Sequence, residues 1–530
     1  MPDYLNLNKL LKESCREASE EFHASTKQVD RIQKEKLLKI IFNSCETDFG
    51  RKHNFDKIRS VDDFRLAVPI TNYEHYEDYV VQIADGKKKV LTKDEVLMLE
   101  PTSGSTSPSK FIPYTESLKR EFQKGIFPWL YDLLQNKTNI GNGSFYWSIT
   151  PAMHRQEKTS GGIPIGFGDD GVYFTDKQKS IISQLSAVPF DVAQIQDIDK
   201  FKEKTLEHMI GNRDLSFISV WNPTFLSLLL RPLPDLSKSL IKDIKDKKRR
   251  GELEIALGGT ESNLYERIWP NLSLISSWAD GNASNYIAGL KELFPNAEIQ
   301  GKGLIATEGF ISFPLVDYEG AALSVNSHFF EFRDIQNPND VRLAHEVEKE
   351  RQYELILTTS GGFYRYNLED IVQIVGFKDQ CPLLKFIGRN NNVSDLFGEK
   401  LNEYHVSSVI KETLQKYEIT PSFFMIAPEK LERDETFYTL FIESPNGNAT
   451  HEMGNYLDSK LQENYHYRYC RKLGQLEATR IFLIDNNGGK TASDIYLEEG
   501  RARGKKIGNV KPAALSSHMG WTSKFNGRFI

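Results

Sequence analysis

Cysteine is scarce in this 530-residue chain: Cys15, Cys45, Cys381 and Cys470 lie far apart, with no C-x-x-C pair and no flanking metal-ligand spacing. That scarcity argues against a disulfide scaffold or a structural zinc site and fits a reducing compartment. Long apolar runs are missing too; no stretch reaches the ~18 uninterrupted apolar residues of a membrane span. The N-terminal segment carries acids early and lacks a continuous apolar h-region, so it reads as neither a secretory signal nor a transit peptide. The cytoplasm is the expected location. Excess positive charge is absent as well: Lys+Arg 67 against Asp+Glu 73 leaves −6, which favours neither nucleic acid nor a polyanionic surface as partner. The densest basic run, residues 242–250, is broken by two aspartates and reads as a solvated helix end and loop. With 36 Gly and 21 Pro, low-complexity architecture is also excluded.

What is present is a globular composition, 39% hydrophobic and 26% charged, long enough for two to four folding units at roughly 100–200 residues each. Residues 1 to about 95 show apolar positions at near-helical spacing (Leu5, Leu7, Leu10, Leu11; Ile32, Leu37, Leu38, Ile41, Phe42). Pro69-Ile-Thr-Asn-Tyr predicts a helix entry capped by Thr71 or Asn72. From about 96, short apolar segments at 96–99, 144–149, 215–220 and 355–357 alternate with helical stretches, the pattern of α/β layers. Residues 353–388 read as closely spaced strands, a meander or small barrel. A polar run, Asn390-Asn-Asn-Val-Ser-Asp395, suits a hinge. Beyond it, helix 402–416, strands 422–427 and 437–443, helix 451–466 and strand 476–485 predict a small α+β domain. The expected division is 1–388, a hinge at 389–396, and a mobile domain at 397–530.

The sharpest chemical signal is Pro101-Thr-Ser-Gly-Ser-Thr-Ser-Pro-Ser-Lys110-Phe-Ile-Pro113, six hydroxyl side chains around one glycine, closed by a lysine. Its backbone N–H groups can form a concave anion site, with Lys110 as a point charge for a polyphosphate. It is not a Walker loop, because Ser109 rather than Gly precedes the lysine and Phe111 follows it. Asn487-Gly-Gly-Lys-Thr491 contains Gly-Lys-Thr without the first Walker glycine and is expected to be a hairpin turn. In Leu304-Ile-Ala-Thr-Glu308-Gly-Phe310, a glutamate among small residues is placed to hold a hard cation. In Phe363-Tyr-Arg-Tyr-Asn-Leu-Glu-Asp370, a carboxylate before a strand can accept two hydrogen bonds from a ribose diol, or be an ordinary turn aspartate.

In this order, the three segments resemble the Gretchen Hagen family of acyl-acid amido synthetases, within the acyl-adenylate-forming superfamily that includes firefly luciferase. Ser103-Gly104-Ser105-Thr106 with Lys110-Phe-Ile-Pro113 matches the family's first segment, Thr307-Glu308 its second, and Tyr364-Arg365-Tyr366 with Asp370 its third. Trp221-Asn-Pro-Thr224, Gly388-Arg389, residues 395–401, Tyr467-Arg468 and the lysine-rich 504–512 extend the likeness over about 400 residues. Two positions depart from it: Leu304 stands where an aromatic usually lies near adenine, and Glu369 replaces the glycine before Asp370.

The resemblance implies an adenylate-forming α/β fold, with a large multi-sheet N-terminal domain including a small barrel-like part and a small α+β C-terminal domain. It implies ATP and Mg²⁺ as cofactors and a two-step reaction: adenylation of a carboxylic acid, then capture of the acyl group by an amine. Ser103, Gly104, Ser105, Thr106 and Lys110 would hold the β- and γ-phosphates, and Glu308 the Mg²⁺. Thr307 would lie near the α-phosphate, Asp370 would fix the ribose, and Arg389 would contact ribose or phosphate. Lys511, with Lys505 and Lys506 as competitors, would stabilise charge during adenylation. Partners are then small-molecule acids and amino acids, with no nucleic acid or membrane, and a monomer is expected. The aromatic and apolar segments 147–154, 161–168 and 221–230 suit either an acyl pocket or core, and His154 either a substrate contact or a structural role. Capture by CoA, and a non-catalytic nucleotide-binding protein on the same scaffold, are the competing readings.

Overall fold

The structure, a computed structural model, describes residues 2–102, 110–148, 158–166, 173–195, 197–258, 263–389, 393–430, 435–444, 449–485, 489–503 and 513–530. The N-terminal layer is helical as expected. Helix Tyr4–Ser25, opened by the Asp3 carboxylate accepting from the Asn6 N–H, buries Leu11, Cys15 and Phe22 at i, i+4 and i+11. That stripe packs on helix Glu116–Asn136. The expected cap at Thr71 or Asn72 does not form: helix Glu74–Ala84 starts without a side-chain cap. The Thr71 hydroxyl instead reaches across 293 residues of sequence to the Tyr364 carbonyl (3.0 Å), and Asn72 binds the His75 ring. Tertiary pairing has taken the residue that local chemistry assigned to the cap.

Strands β1 (Val96–Pro101) and β2 (Phe111–Thr115) form an antiparallel pair. Strands β3 (Ser144–Trp147), β4 (Leu215–Ser219), β5 (Leu274–Ser277) and β6 (Glu298–Gly301) make an all-parallel sheet in chain order, with helices in the crossovers. Its carboxyl ends therefore gather Trp147, Ser219, Ser277 and Gly301, the rim at which open parallel sheets bind ligands. The basic run at 242–250 spans the end of one helix and the start of Lys247–Leu257. Arg249 within it is buried, not solvated; its guanidinium donates to the Ile210 (2.8 Å) and Ile268 (2.6 Å) carbonyls.

The tight pair β7 (Ile305–Ala306) and β8 (Gly309–Phe310) follows. Then β9 (Ser312–Pro314), β10 (Ala321–Leu323), β11 (Phe329–Asp334), β12 (Val341–Leu343), β13 (Gln352–Thr358), β14 (Tyr366–Lys378) and β15 (Cys381–Arg389) form a seven-stranded sheet. Its order is β12-β11-β13-β14-β15-β10-β9. The meander expected at 353–388 is there as β13-β14-β15, but it lies in a sheet with edges at β12 and β9 rather than in a closed barrel.

Two compact units result: residues 1–280, 287–368 and 372–386, and residues 281–286, 369–371 and 387–530. In the second, β16 (Val393–Ser394) pairs with β17 (Leu401–Asn402), and β18 (Phe423–Lys430), β19 (Thr436–Glu443), β20 (Arg480–Ile484) and β21 (Gly527–Phe529) form a sheet. Alternation decides its two faces. Phe424, Ile426, Leu440, Ile442, Ile481 and Leu483 pack with residues of helices Glu403–Lys416 and His451–Leu461. Phe423, Met425, Phe441 and Phe482 pack with Ala492, Trp521 and Phe525. The helix expected over 451–466 is two, because Asn464 caps a new one, Tyr465–Lys472. Of the turn expected at 487–491, residues 487 and 488 lie outside the described residues; Gly489 is in a turn at φ +99°, and Thr491 closes a capping box with Asp494 on helix Ala492–Ala502.

Candidate active site

Lys110 stands at the foot of β2. Pro101 pairs with Phe111, and the Thr102 N–H donates to the Lys110 carbonyl at 2.7 Å, so the two ends of the Ser/Thr segment are fastened together. Ser103, Gly104, Ser105 and Thr106 lie outside the described residues. The Lys110 ammonium lies 5.5 Å from the centre of the Tyr73 ring. The Tyr73 hydroxyl accepts the Phe111 N–H (2.7 Å), which fixes the backbone beside the lysine. Burial pushes the Tyr73 phenol up, and the charges of Glu77 and Glu308 add to this, which puts Glu308 within electrostatic reach of the ring beside Lys110.

Glu308 sits with Thr307 in the turn between β7 and β8, where Ala306 pairs with Gly309. The turn is held from three sides. Tyr114 donates its hydroxyl to the Thr307 carbonyl (2.8 Å), and the Tyr366 hydroxyl lies 3.3 Å from Glu308 Oε1. On the third side the Phe310 N–H donates to His328 Nε2 (2.9 Å), whose Nδ1 meets Glu121 Oε2 (3.0 Å). A backbone N–H can only donate, so Nε2 accepts, the ring proton is on Nδ1, and the imidazole is neutral. Burial, which pushes the His328 pKa down against the pull of Glu121, agrees. A side chain at Gly309 would meet Leu357 at 2.8 Å and His328 Nε2 at 2.9 Å, so glycine is required there. Leu304 is a core residue, its N–H bound to Ser312 Oγ (3.0 Å), and offers no shelf to a ligand.

Glu121 anchors this support. It is buried, accepts from the Ser360 N–H and hydroxyl, and pairs with Lys36 at 3.0 Å. Burial alone would raise its pKa, but Lys36, His328 and Ser360 together hold it at about 2. Because its folded value lies below the ordinary 4.5, its contribution is complete above about pH 4.5 and is lost as pH falls towards 2. The expected loss is on the order of 3 kcal/mol. A Glu121→Gln variant, unfolded by urea between pH 6 and 3, should lose less of its stability over that interval than the wild type.

Glu308 is 9% exposed. Among the described residues no group of three or more His, Cys, Asp or Glu is placed to hold a metal. A single carboxylate nevertheless suits Mg²⁺, which keeps several waters and binds through one or two carboxylates plus substrate phosphates. Beside Glu308, burial, first, and the adjacent Tyr173 push the Tyr114 phenol well up.

The third segment divides. Arg365 is a structural ion: its guanidinium grips Glu331 in two bonds (2.9 and 3.1 Å) and the Val68 carbonyl (2.9 Å), and both residues are buried. Tyr364 donates to the Leu91 carbonyl (2.6 Å) and accepts at its own carbonyl from Tyr76 (2.7 Å). These residues tie the helical N-terminal layer to the sheet. Asp370 and Arg389 are brought together in the second unit, Arg389 Nε to Asp370 Oδ1 at 2.6 Å, with Asp370 1% exposed. The expected turn before a strand is not there: Glu369 and Asp370 lie inside β14, where Glu369 adopts φ +60°, a left-handed backbone that glycine takes without strain. Tyr467 is structural, its hydroxyl donating to buried Asp458 (2.8 Å). Lys505, Lys506, Lys511 and His154 lie outside the described residues.

Three domain models of one family match the chain in order: the GH3 family N-terminal domain over residues 18–299, the central domain over 321–389 and the C-terminal domain over 404–518. The chain belongs to the GH3 family. Among similar curated proteins is the jasmonoyl–L-amino acid synthetase JAR4 of Nicotiana attenuata, 24% identical over 493 residues, 82% of each chain. Another is the jasmonoyl–L-amino acid synthetase GH3.5 of Oryza sativa subsp. japonica, 24% identical over 561 residues, covering 92% of this chain and 93% of that one. The solved AtGH3.15 acyl acid amido synthetase in complex with 2,4-DB superposes with a TM-score of 0.78 at 18% identity, covering 96% of this chain and 94% of that one. The large α/β part and the smaller C-terminal part of this GH3 protein thus follow a known GH3 fold.

One residue of this GH3 protein escaped sequence reasoning. Lys302 follows β6 between Gly301 and Gly303, at the rim of the parallel sheet, and is 8% exposed. Its ammonium donates to Ser219 Oγ (2.7 Å) and lies 5.2, 5.9 and 5.4 Å from the ring centres of Trp129, Trp147 and Trp221. Burial pulls its pKa down to about 7. The only trace in the sequence is a lysine flanked by glycines after a strand.

Proposed function

We propose that this GH3 protein is an ATP-dependent acyl-acid amido synthetase. A carboxylate attacks the α-phosphorus of ATP to give acyl-AMP and pyrophosphate; the nitrogen of an amine, an amino acid, then attacks the acyl carbon, forming the amide and releasing AMP. The observation that carries this reading is that β2 joins the two segments: Lys110 stands at its foot, and Tyr114 within it donates its hydroxyl to the Thr307 carbonyl of the Glu308 turn (2.8 Å). An anionic acid approaching an anionic polyphosphate needs its repulsion cancelled by fixed charges and donors, and rigid positioning makes such groups effective.

In this reading Ser103, Gly104, Ser105, Thr106 and Lys110 hold the β- and γ-phosphates, and Thr307 lies near the α-phosphate. Glu308 would hold Mg²⁺, which would supply positive charge to offset that of the polyphosphate. Asp370 accepts from the ribose diol and Arg389, its ion-pair partner, fixes the carboxylate's orientation. Lys511 reaches the α-phosphate from the C-terminal domain (397–530), delivered by movement about residues 389–396. The enzyme acts as a cytoplasmic monomer.

Carboxylate-dependent ATP–pyrophosphate exchange tests the lysine directly. Lys511→Ala should lose exchange while keeping its affinity for ATP; unchanged exchange would transfer the role to Lys505 or Lys506.

A further inference from the structure

We propose that Lys302, with Trp129, Trp147 and Trp221, is the recognition subsite for the acid substrate, and that this acid carries a second anionic group besides the carboxylate that is adenylated. The inference rests on the amido synthetase reading only in naming the ligand as the acid; the subsite itself stands on its own geometry.

A buried ammonium is costly unless it is paired. Among the described residues Lys302 makes one hydrogen bond, to Ser219 Oγ, and no carboxylate lies within ion-pair distance of it. An ammonium has three donors, so two remain for an acceptor that arrives with a ligand. Three tryptophan rings surround the cation, a grouping that in other proteins receives cationic ligands. Here the protein's own lysine fills that place, so the ligand group that completes it is an anion. The rings also set the rest of the ligand's character. Trp129 is buried, whereas Trp221 is 39% exposed and forms the open wall, against which a flat apolar body can lie. The position agrees: Trp147 ends β3, Ser219 ends β4 and Lys302 follows β6, all at the carboxyl rim of the parallel sheet. Lys302 also precedes Thr307-Glu308 by only a few residues, so an acid bound at the rim lies near the turn that serves ATP.

A buried lysine could serve the fold alone, and the two roles separate experimentally. Among the described residues the groups facing the ammonium are Ser219 on β4, Trp129 on helix Glu116–Asn136, Trp147 at the end of β3 and Trp221 after β4, none of which is charged. Burial has already lowered the Lys302 pKa to about 7, so above that pH binding of an anion requires the Lys302 amine to take up a proton. Affinity for a second anionic group should therefore fall as pH rises from 6 to 9, approaching tenfold per unit at the upper end.

The test is tryptophan-fluorescence titration of the full chain, without ATP. The probes are terephthalate, naphthalene-2,6-dicarboxylate and 5-carboxyindole-3-acetate, each against its mono-amide at the remote carboxyl. The expected result is that in at least one pair the dianion binds tenfold or more tighter at pH 6.5. Lys302→Met should abolish that preference and its pH dependence while melting no lower than the wild type. Trp221→Leu should weaken both members of the pair and leave the preference intact. Equal binding within every pair, a preference that survives in Lys302→Met, or a Lys302→Met that melts lower with preference unchanged would each overturn the proposal. The two readings fail separately: dianion preference with no acid supporting pyrophosphate exchange sinks the synthetase reading, and exchange without any Lys302-dependent preference sinks the subsite.

Discussion

Glu308→Ala and Lys110→Ala should each lower carboxylate-dependent ATP–pyrophosphate exchange by over ~10²-fold, the size expected when one preorganised electrostatic contact to a developing charge is removed. Both side chains act on the polyphosphate in the proposed mechanism, but the structure separates their supports. Glu308 is fixed by a chain that runs from Lys36 and Glu121 through the neutral His328 ring to the Phe310 N–H. Lys110 is fixed by the Tyr73 hydroxyl on Phe111 and by the pairing of β1 with β2. Glu308→Gln therefore keeps the turn and its Tyr366 contact yet loses the charge, and should fall nearly as far as Glu308→Ala. Tyr73→Phe loses only the clamp, so it should cost less than Lys110→Ala. Near-wild-type exchange in Glu308→Ala and Lys110→Ala would remove both residues from the reaction.

The largest expected effect on stability lies elsewhere, at Arg365. Its guanidinium and the Glu331 carboxylate are both buried, and Arg65 adds a second cation to Glu331 at 2.8 Å. Removing one member of a buried pair strands the other, at about 3–5 kcal/mol. Arg365→Met should therefore lower the urea midpoint of the first unfolding transition sharply. Substituting both partners, as Arg365→Met with Glu331→Leu, should recover part of that loss, although Arg65 then keeps only the Val341 carbonyl (2.9 Å) as acceptor. Exchange activity of whatever Arg365→Met remains folded should stay close to wild type, since the side chain binds Glu331 and the Val68 carbonyl rather than any group assigned to ATP. A loss of exchange in excess of the loss of folded protein would give Arg365 a part in the reaction.

The contrast between these residues explains what could be read in advance. Periodicity located the N-terminal helices and the strands at 144–147 and 215–219, because side-chain spacing records which face is buried. Motif order singled out Lys110, Glu308 and Asp370 as candidates, because each sits in a recognisable local pattern. Long-range partners leave no such record. Thr71 reads as a cap until Tyr364 is seen to accept its hydroxyl, and Arg365 sits inside a functional-looking segment although its partner is Glu331. At Thr491 the capping box with Asp494 was legible in the sequence, beside the turn read from Gly-Lys-Thr, and was passed over. At Glu369 the missing glycine pointed to an altered turn, whereas the residue lies inside β14 at φ +60°. Lys302 was invisible because its three tryptophans come from widely separated segments and meet only at the sheet rim.

Amide formation through an acyl-adenylate is tested most directly by its products. Aromatic, indolic and fatty acids should be screened with ATP, Mg²⁺, mixed amino acids and free CoA in one vessel, and the products resolved by mass. Pyrophosphate and AMP should appear in step with an acyl-amino acid amide, with no acyl-CoA. Acyl-CoA as the sole acylated product would overturn the amido synthetase reading, as would ATP binding with no acid-dependent pyrophosphate release from any acid in the panel.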